Sequence, residues 1–506
     1  MREDFIDMVD YVLSIDAMPI GINLPFLPGL VPILRQLVAD GGDERSVVTI
    51  FLHLLAGSAA GRWLSEQARC AIQEAYGSLE VDRCKVRSIE DQLKSRISEN
   101  MSVRDKFAVR CILSDDDKKW GERPVPARHT DLPETSNHGG YEMNSRRSEG
   151  HYTGCLLGGA CGDALGWPVE FENLERIRQM TDQDGVTGMT PGKDGLYEIT
   201  DDTQMTLFTA EGLLRALNSA RAAGSPPDFV AALKRSYLCW LATQGERGAE
   251  SYPKGEAAGW LLGVEGLHEE RGPGNTCLSA LRATRFSGKD IAANDSKGCG
   301  GVMRAAPAGL LASRLSGEDI CSAAGLAFEM GWQSAAITHG NPSGYFPAAV
   351  LAATIACIVR GESIQSGVER SLGLLKGRQD SGETTAAVQS ALDLAQDRSL
   401  VPSPETVQTL GAGWIGSEAL AIGLYCALVA GDDFARGVRL AVNHSGDSDS
   451  TGSITGNLMG VLLGAKSIPP EWLAALELGD VIRQVASDLL VGVEETADWL
   501  IKYPAI

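Results

Sequence analysis

The chain of 506 residues reads as an all-α protein. From His151 to Ile506, helix-length apolar segments alternate with loops rich in Gly, Pro, Asn and Asp, while alternating β-branched runs are scarce. Aromatic residues make up only 6% of the chain, and the 58 glycines are matched by abundant alanine, a mix suited to closely packed helices rather than a β-sandwich. Roughly ten or more helices are expected here, with no fixed-period repeat.

Three segments differ in texture. Residues 1–113 alternate apolar and charged positions at helical spacing and are expected to form a helical domain of their own. Residues 114–150 hold an Asp-Asp-Asp-Lys-Lys run, three prolines, Gly139-Gly140 and the run Asn144 to Glu149, with few apolar residues. This composition predicts a polar linker. Residues 151–506 carry the main helical domain.

Charge and cysteine usage narrow the function. Lys and Arg number 45 against 66 Asp and Glu, so 45 − 66 gives −21. Such a balance, without a basic run, argues against nucleic-acid and anionic-membrane partners. Eleven scattered cysteines without a CxxC pair, and an acidic N-terminus where a signal peptide is basic, give the expectation of a cytoplasmic protein with reduced thiols. The apolar run Pro347 to Val359 is too short to span a bilayer and reads as a buried helix.

The segment Thr153 to Gly166 predicts a small-residue helix. It lacks both GxGxxG and GxxxxGK[ST], and no strand precedes it, so close helix packing is favoured over phosphate binding. It leads into Trp167-Pro168-Val169-Glu170-Phe171, where a lone acid stands among apolar neighbours, as either a surface group or a general acid/base with a raised pKa. Thr200-Asp201-Asp202-Thr203 precedes a helix expected over Gln204 to Leu217. A simple N-cap needs one acid, and the second tips the reading toward a metal.

Asn294 to Arg304, with Gly298, Cys299, Gly300 and Gly301, predicts a loop of convergent N–H groups able to hold phosphate oxygens; an ordinary glycine-rich turn fits as well. His339, in the loop Thr338-His339-Gly340-Asn341-Pro342, reads as a hydrogen-bonded structural residue ahead of a catalyst. Finally, Asp447-Ser448-Asp449-Ser450-Thr451-Gly452 begins like an EF-hand loop, but its twelfth residue is Leu458 and not the required Glu. What remains is a metal loop leading into a glycine-rich helix over Ile454 to Ala465. The two acidic clusters offer hard oxygen ligands that suit Mg²⁺, Mn²⁺ or Ca²⁺ rather than zinc.

In order and content, the motifs GCLLGGACGDALGWPVEF, ITDDTQMTL, NDSKGCGGVMRAAP, ITHGNPSGY and VNHSGDSDSTGSITGN resemble the ADP-ribosylglycohydrolase family over about residues 151–480. The resemblance implies an orthogonal all-helical bundle with two divalent ions, Mg²⁺ or Mn²⁺, that removes ADP-ribose from modified protein side chains or small conjugates. It implies metal ligation by Thr200, Asp201, Asp202 and Asp449 at one ion and by Asp447, Asp449 and Ser450 at the other. Glu170, Asp202 and Asp449 take catalytic roles, and Gly298, Cys299, Gly300, Gly301, His339 and Asp163 bind substrate. Ser450 and Cys299 stand where relatives often have Thr and Asn or Ser. Residues 1–150 fall outside the resemblance. A partner bound through residues 1–113, an immunity protein that blocks an ADP-ribosyltransferase toxin, and an inactive ADP-ribose binder are the competing readings.

Overall fold

In a computed structural model, the structure describes residues 145–506, apart from 182, 184, 193, 246–257 and 288–290, and apart from the side chains of 284–287. The helical domain expected over 1–113, and the linker as far as residue 144, lie outside the described residues. Among those residues the fold is all-α: the only β-type pairings are two isolated bridges, Tyr197 with Leu476 and Gly298 with Ile415.

The principal helices are α1 (Glu149–Gly166), α2 (Asp201–Ala223), α3 (Phe229–Thr243), α4 (Asn275–Ser287), α5 (Ala306–Leu315), α6 (Ile320–Ala336) and α7 (Pro342–Val359). They continue with α8 (Ile364–Leu375), α9 (Gly382–Gln396), α10 (Gly416–Ala430), α11 (Phe434–Val442), α12 (Ser448–Leu463) and α13 (Gly479–Val491). The innermost contact is between α1 and α12, which run antiparallel. A Cβ on Gly154, Gly158 or Gly162 would lie 2.4, 2.3 or 2.0 Å from the carbonyl oxygen of Gly460, Gly456 or Gly452. The approach is reciprocal, since a Cβ on Gly456 would meet the Gly158 oxygen at 1.9 Å. Spacing by four residues puts these glycines in one row on each helix, and the rows meet backbone to backbone. The small-residue helix expected around Thr153–Gly166 is therefore a packing device.

α7 starts at Pro342, five residues before the apolar run that predicted it. At 18 residues it is long and apolar enough to cross a bilayer, but 89% of it is buried within the bundle. It lies close against α5 and α6, where a Cβ on Gly309 would meet Ala352 O at 2.4 Å and one on Gly331 would meet Ala348 O at 2.6 Å.

Three expected boundaries shift. The residues 145–150, assigned to the linker, belong to the domain: Arg146 N donates to Val359 O (2.8 Å), and its Nη1 donates to Ile358 O and Glu362 O (3.0 Å each). Arginine here saturates carbonyls at the end of α7, a role that composition hides. α2 begins at Asp201 rather than Gln204, and α12 at Ser448 rather than Ile454. Thr200 Oγ1 accepts from Asp202 N (3.2 Å) and the Asp447 carboxylate from Ser450 N (3.3 Å), so these polar residues are caps and first-turn residues of helices, not loop.

The glycine row gives a direct test. Gly456→Val should abolish soluble expression or lower stability by more than the roughly 1–3 kcal/mol of ordinary overpacking, because backbone and not a movable side chain opposes it. Gly150→Ala, whose Cβ would meet only Ser148 Oγ at 4.0 Å, should be neutral. Thermal melts of both variants check the pair; equal stability would mean the two helices can separate.

Candidate metal centre

The antiparallel contact sets the C-terminal end of α1 beside the N-terminal end of α12. A Cβ on Gly166 would meet Ser448 O at 2.3 Å, and the chain leaving α1 through the short 3-10 turn Trp167–Val169 delivers Glu170 to the start of α12. There one carboxylate oxygen from each of Glu170, Asp447 and Asp449 lies within 4.8 Å of the others.

The second acidic cluster is held by residues from three other segments. Asp163, fully buried in the last turn of α1, accepts from Thr200 N at both oxygens (3.1 and 3.0 Å), from Thr203 N (3.1 Å) and from Thr203 Oγ1. Sequence reasoning set Asp163 with the substrate; the structure instead spends its oxygens on orienting the acidic turn. Behind that turn, Arg271 pairs with Glu477; Arg271 O accepts from Asp201 N (3.1 Å), Arg271 Nη1 donates to Ile199 O (3.1 Å), and Glu477 Oε2 accepts from Ile199 N (3.1 Å). Asp201 Oδ2 accepts from Gly274 N (3.1 Å). The two clusters then meet through Ser450 Oγ, which donates to Asp202 Oδ1 (3.3 Å) across 248 residues of sequence.

The donor set fits a hard cation. Asp202 Oδ2 and Glu170 Oε2 are buried without a hydrogen-bond partner, and such an oxygen is satisfied either by a proton or by a compensating cation. Burial, then the neighbouring Asp447 and Asp201, pushes Glu170 up to about 9; burial pushes Asp201 up to about 8 and carries Asp202 and Asp449 well above the usual carboxylate range. Asp447 is raised by the same cause. Thr200, Asp201, Asp202, Asp447, Asp449 and Ser450 thus come together in one buried region with Glu170 at its edge.

The glycine loop and His339 lie alongside. His339 is 1% exposed, its Nδ1 faces Thr338 Oγ1 (2.9 Å), and burial, with Arg304 nearby, pushes its pKa down to about 3, so the ring is neutral. A Cβ on Gly298 or Gly300 would come within 3.3 Å of this imidazole, and one on Gly301 within 2.8 Å of Gly344 O. Two of the four expected phosphate-facing amides are already used: Gly298 N donates to Ser296 Oγ (3.3 Å) and Cys299 N to Trp414 O (3.2 Å). Cys299 Sγ donates to Asp447 Oδ2 (2.7 Å), which joins this loop to the carboxylates.

Arg271, Gly274, Glu477 and Trp414 escape sequence reasoning. Arg271 and Glu477 are 206 residues apart, and neither has a local pattern. Only Trp414, amid Gly411-Ala412-Gly413-Trp414-Ile415-Gly416, carries a signal, an aromatic at the tip of a glycine-rich turn.

Residues 144–498 match the family described as ADP-ribosylglycohydrolase. An uncharacterised protein of Archaeoglobus fulgidus is 28% identical over 346 residues, covering 67% of this chain and 96% of its own length. ADP-ribosylhydrolase ARH3 of Homo sapiens is 26% identical, covering 65% of this chain and 90% of its own. The ADP-ribosyl-[dinitrogen reductase] glycohydrolase of Rhodospirillum rubrum is 27% identical, covering 64% and 90%. Among solved structures, an ADP-ribosylglycohydrolase-related protein complex aligns with TM-score 0.49 at 24% identity, over 69% of this chain and 99% of the other.

The raised carboxylates predict a pH signature. Groups that gain protons on folding destabilise the folded state as pH rises from the ordinary carboxylate range toward their folded values, about 8 for Asp201 and about 9 for Glu170. In chelator, the melting temperature of the domain should therefore fall as pH rises from about 5 to about 9, and saturating Mg²⁺ or Mn²⁺ should remove most of the fall. Identical melting profiles with and without metal would count against a cation site.

Proposed function

The chain belongs to the ADP-ribosylglycohydrolase family, and on that premise we propose that it is a divalent-metal-dependent hydrolase that removes ADP-ribose from a modified protein side chain or a small ADP-ribosyl conjugate. The observation that carries this reading is the meeting of Glu170, Asp447 and Asp449 within 4.8 Å, with Asp202 tied to the same cluster through Ser450. ADP-ribosyl hydrolysis is the activity named for the ARH3 and Rhodospirillum rubrum relatives.

Thr200, Asp201, Asp202 and Asp449 would hold one Mg²⁺ or Mn²⁺ ion, and Asp447, Asp449 and Ser450 a second. Bound there, the ions supply positive charge that offsets the carboxylates and polarises sugar hydroxyls and water. The remaining work belongs to the protein. The turns held by Asp163 and by the Arg271–Glu477 pair keep the acids in register, so that a ribose seated over them would be held in one orientation. Orientation of this kind can lower a barrier by roughly 7 kcal/mol or more.

Hydrolysis breaks the bond from C1″ to the acceptor nitrogen or oxygen, whose bonding pair leaves with the acceptor, while a water oxygen bonds to C1″. One proton must reach the acceptor and one must leave the water. Glu170, with a raised pKa and an unpartnered Oε2, is the group suited to move them. Thr338 Oγ1 accepts from Arg304 Nη2 (2.7 Å), donates to Ala335 O (3.3 Å) and lies 2.9 Å from His339 Nδ1, which holds the imidazole with its other edge beside Gly298 and Gly300. A neutral imidazole there, with the amides of Gly300 and Gly301 that the loop leaves over, gives the diphosphate a cradle that does not depend on a charged histidine.

Two outcomes test the reading. Glu170→Gln should lower turnover of arginine- or serine-linked ADP-ribose by about 10²-fold or more while ADP-ribose binding persists. Asp449→Ala should remove both turnover and Mn²⁺ binding by calorimetry. Full activity in EDTA would sink the proposal.

A further inference from the structure

We propose that Phe171 and Trp414 are positioning residues for Glu170: their stacked rings clasp the segment carrying Glu170 to the loop that supports Asp447 and Cys299. The inference rests on the hydrolase reading for its kinetic arm only.

Phe171 follows Glu170 directly and has φ +69°, the left-handed region that bulky side chains avoid. Its ring is 69% exposed, so core burial does not explain the conformation. It stacks instead on Trp414, itself 39% exposed, with ring centroids 5.1 Å apart and planes 17° from parallel. Strained residues of this kind persist where surrounding contacts over-determine them, and they concentrate at functional sites.

Both sides of the stack are anchored to the metal loop. Phe171 N donates to Gly446 O (3.3 Å) and Gly446 N to Glu172 O (3.4 Å), which pairs the Glu170 segment with the residue before Asp447. On the Trp414 side, Asp447 N donates to Ala412 O (2.9 Å) and Cys299 N to Trp414 O (3.2 Å). Gly413, at φ +83°, sits so close that a Cβ would lie 3.2 Å from Asp447 Cβ. Trp414 is thus fixed with respect to Asp447 and Cys299. Phe171 can be held against it only if Glu170, one residue earlier, is held over the carboxylate cluster as well. Neither ring is a catalytic residue; each acts on the chemistry through Glu170.

The test uses the full chain in three variants: Trp414→Ala, which removes one ring; Phe171→Gly, which removes the other and relieves the backbone; and Trp414→Phe, which keeps a stack. Each is measured for kcat and KM on a small ADP-ribosyl substrate, for Mn²⁺ affinity, and for amide hydrogen exchange in the peptide spanning Phe171. Trp414→Ala and Phe171→Gly should lower kcat by about 10- to 100-fold with little change in KM or Mn²⁺ affinity, the split expected when a reacting group is misplaced but substrate still binds. Exchange at Phe171 should accelerate in Trp414→Ala, and Trp414→Phe should restore both kcat and protection. Unchanged kcat and exchange in Trp414→Ala would overturn the proposal. So would a joint collapse of kcat and Mn²⁺ affinity, which would assign the pair to the metal loop as a whole. If the wild-type protein hydrolyses no ADP-ribosyl substrate, the hydrolase reading fails. The exchange comparison still decides the clasp: faster exchange in Trp414→Ala supports it and equal exchange refutes it.

Discussion

The site depends on one contact, the backbone-to-backbone approach of α1 and α12. Gly154, Gly158 and Gly162 face Gly460, Gly456 and Gly452 with no room for a Cβ on either side. Helices normally sit 8–10 Å apart because side chains intervene; glycine rows remove that spacer along the whole shared face. Because the helices are antiparallel, the exit of one meets the entrance of the other. Asp163 and Glu170 come from the first, Asp447, Asp449 and Ser450 from the second. Any side chain in the rows would part the elements that bring Glu170 to Asp447 and Asp449, so packing and chemistry share the same residues.

A second constraint is electrostatic. α2 and α12 both open at the carboxylate cluster and turn the positive ends of their dipoles to it, and at α12 the Ser450 N–H also donates to Asp447 and Asp449. Those terms lessen the repulsion among Asp201, Asp202, Asp447 and Asp449 but do not abolish it, since burial still raises all four. Asp163 differs in kind. With hydrogen bonds from Thr200 and Thr203 opposing the effect of burial, its pKa is raised only to about 6. Its oxygens are all taken up by the backbone and hydroxyl groups of Thr200 and Thr203, and this is why it orients the turn.

How much could be read from the chain follows from how far each interaction reaches. The acids, the glycine loop and His339 were legible because each stands in a short, chemically biased motif. The all-α class was legible from apolar segments of helical length. The helix starts were misplaced because Asp, Ser and Thr favour loops and N-caps alike; the distinction rests on whether Thr200 Oγ1 and the Asp447 carboxylate find N–H groups two or three residues on. The glycine spacing of α1 announced a close partner but did not name it. Arg271 with Glu477, and Phe171 with Trp414, were invisible because the residues that give each its purpose lie more than 200 residues away.

The departures from ordinary local preference gather round the same place. Four non-glycine residues among those described have positive φ: Phe171, Gln183, Asp380 and Leu478. Gln183 and Asp380 are polar residues, the kind that turns tolerate, but Phe171 and Leu478 are bulky and apolar. Each bulky one is the immediate neighbour of a carboxylate that serves the site: Phe171 of Glu170, and Leu478 of Glu477, which braces Ile199 before the Asp201-Asp202 pair. The unpartnered oxygens of Glu170 and Asp202 lie in the same region. A chain selected for stability alone has no reason to concentrate strained backbone and unsatisfied carboxylates in one place. Concentrated, they mark the region where conformation is held against local preference so that several acids can be brought together, and the glycine rows supply the rigid frame against which that strain is held.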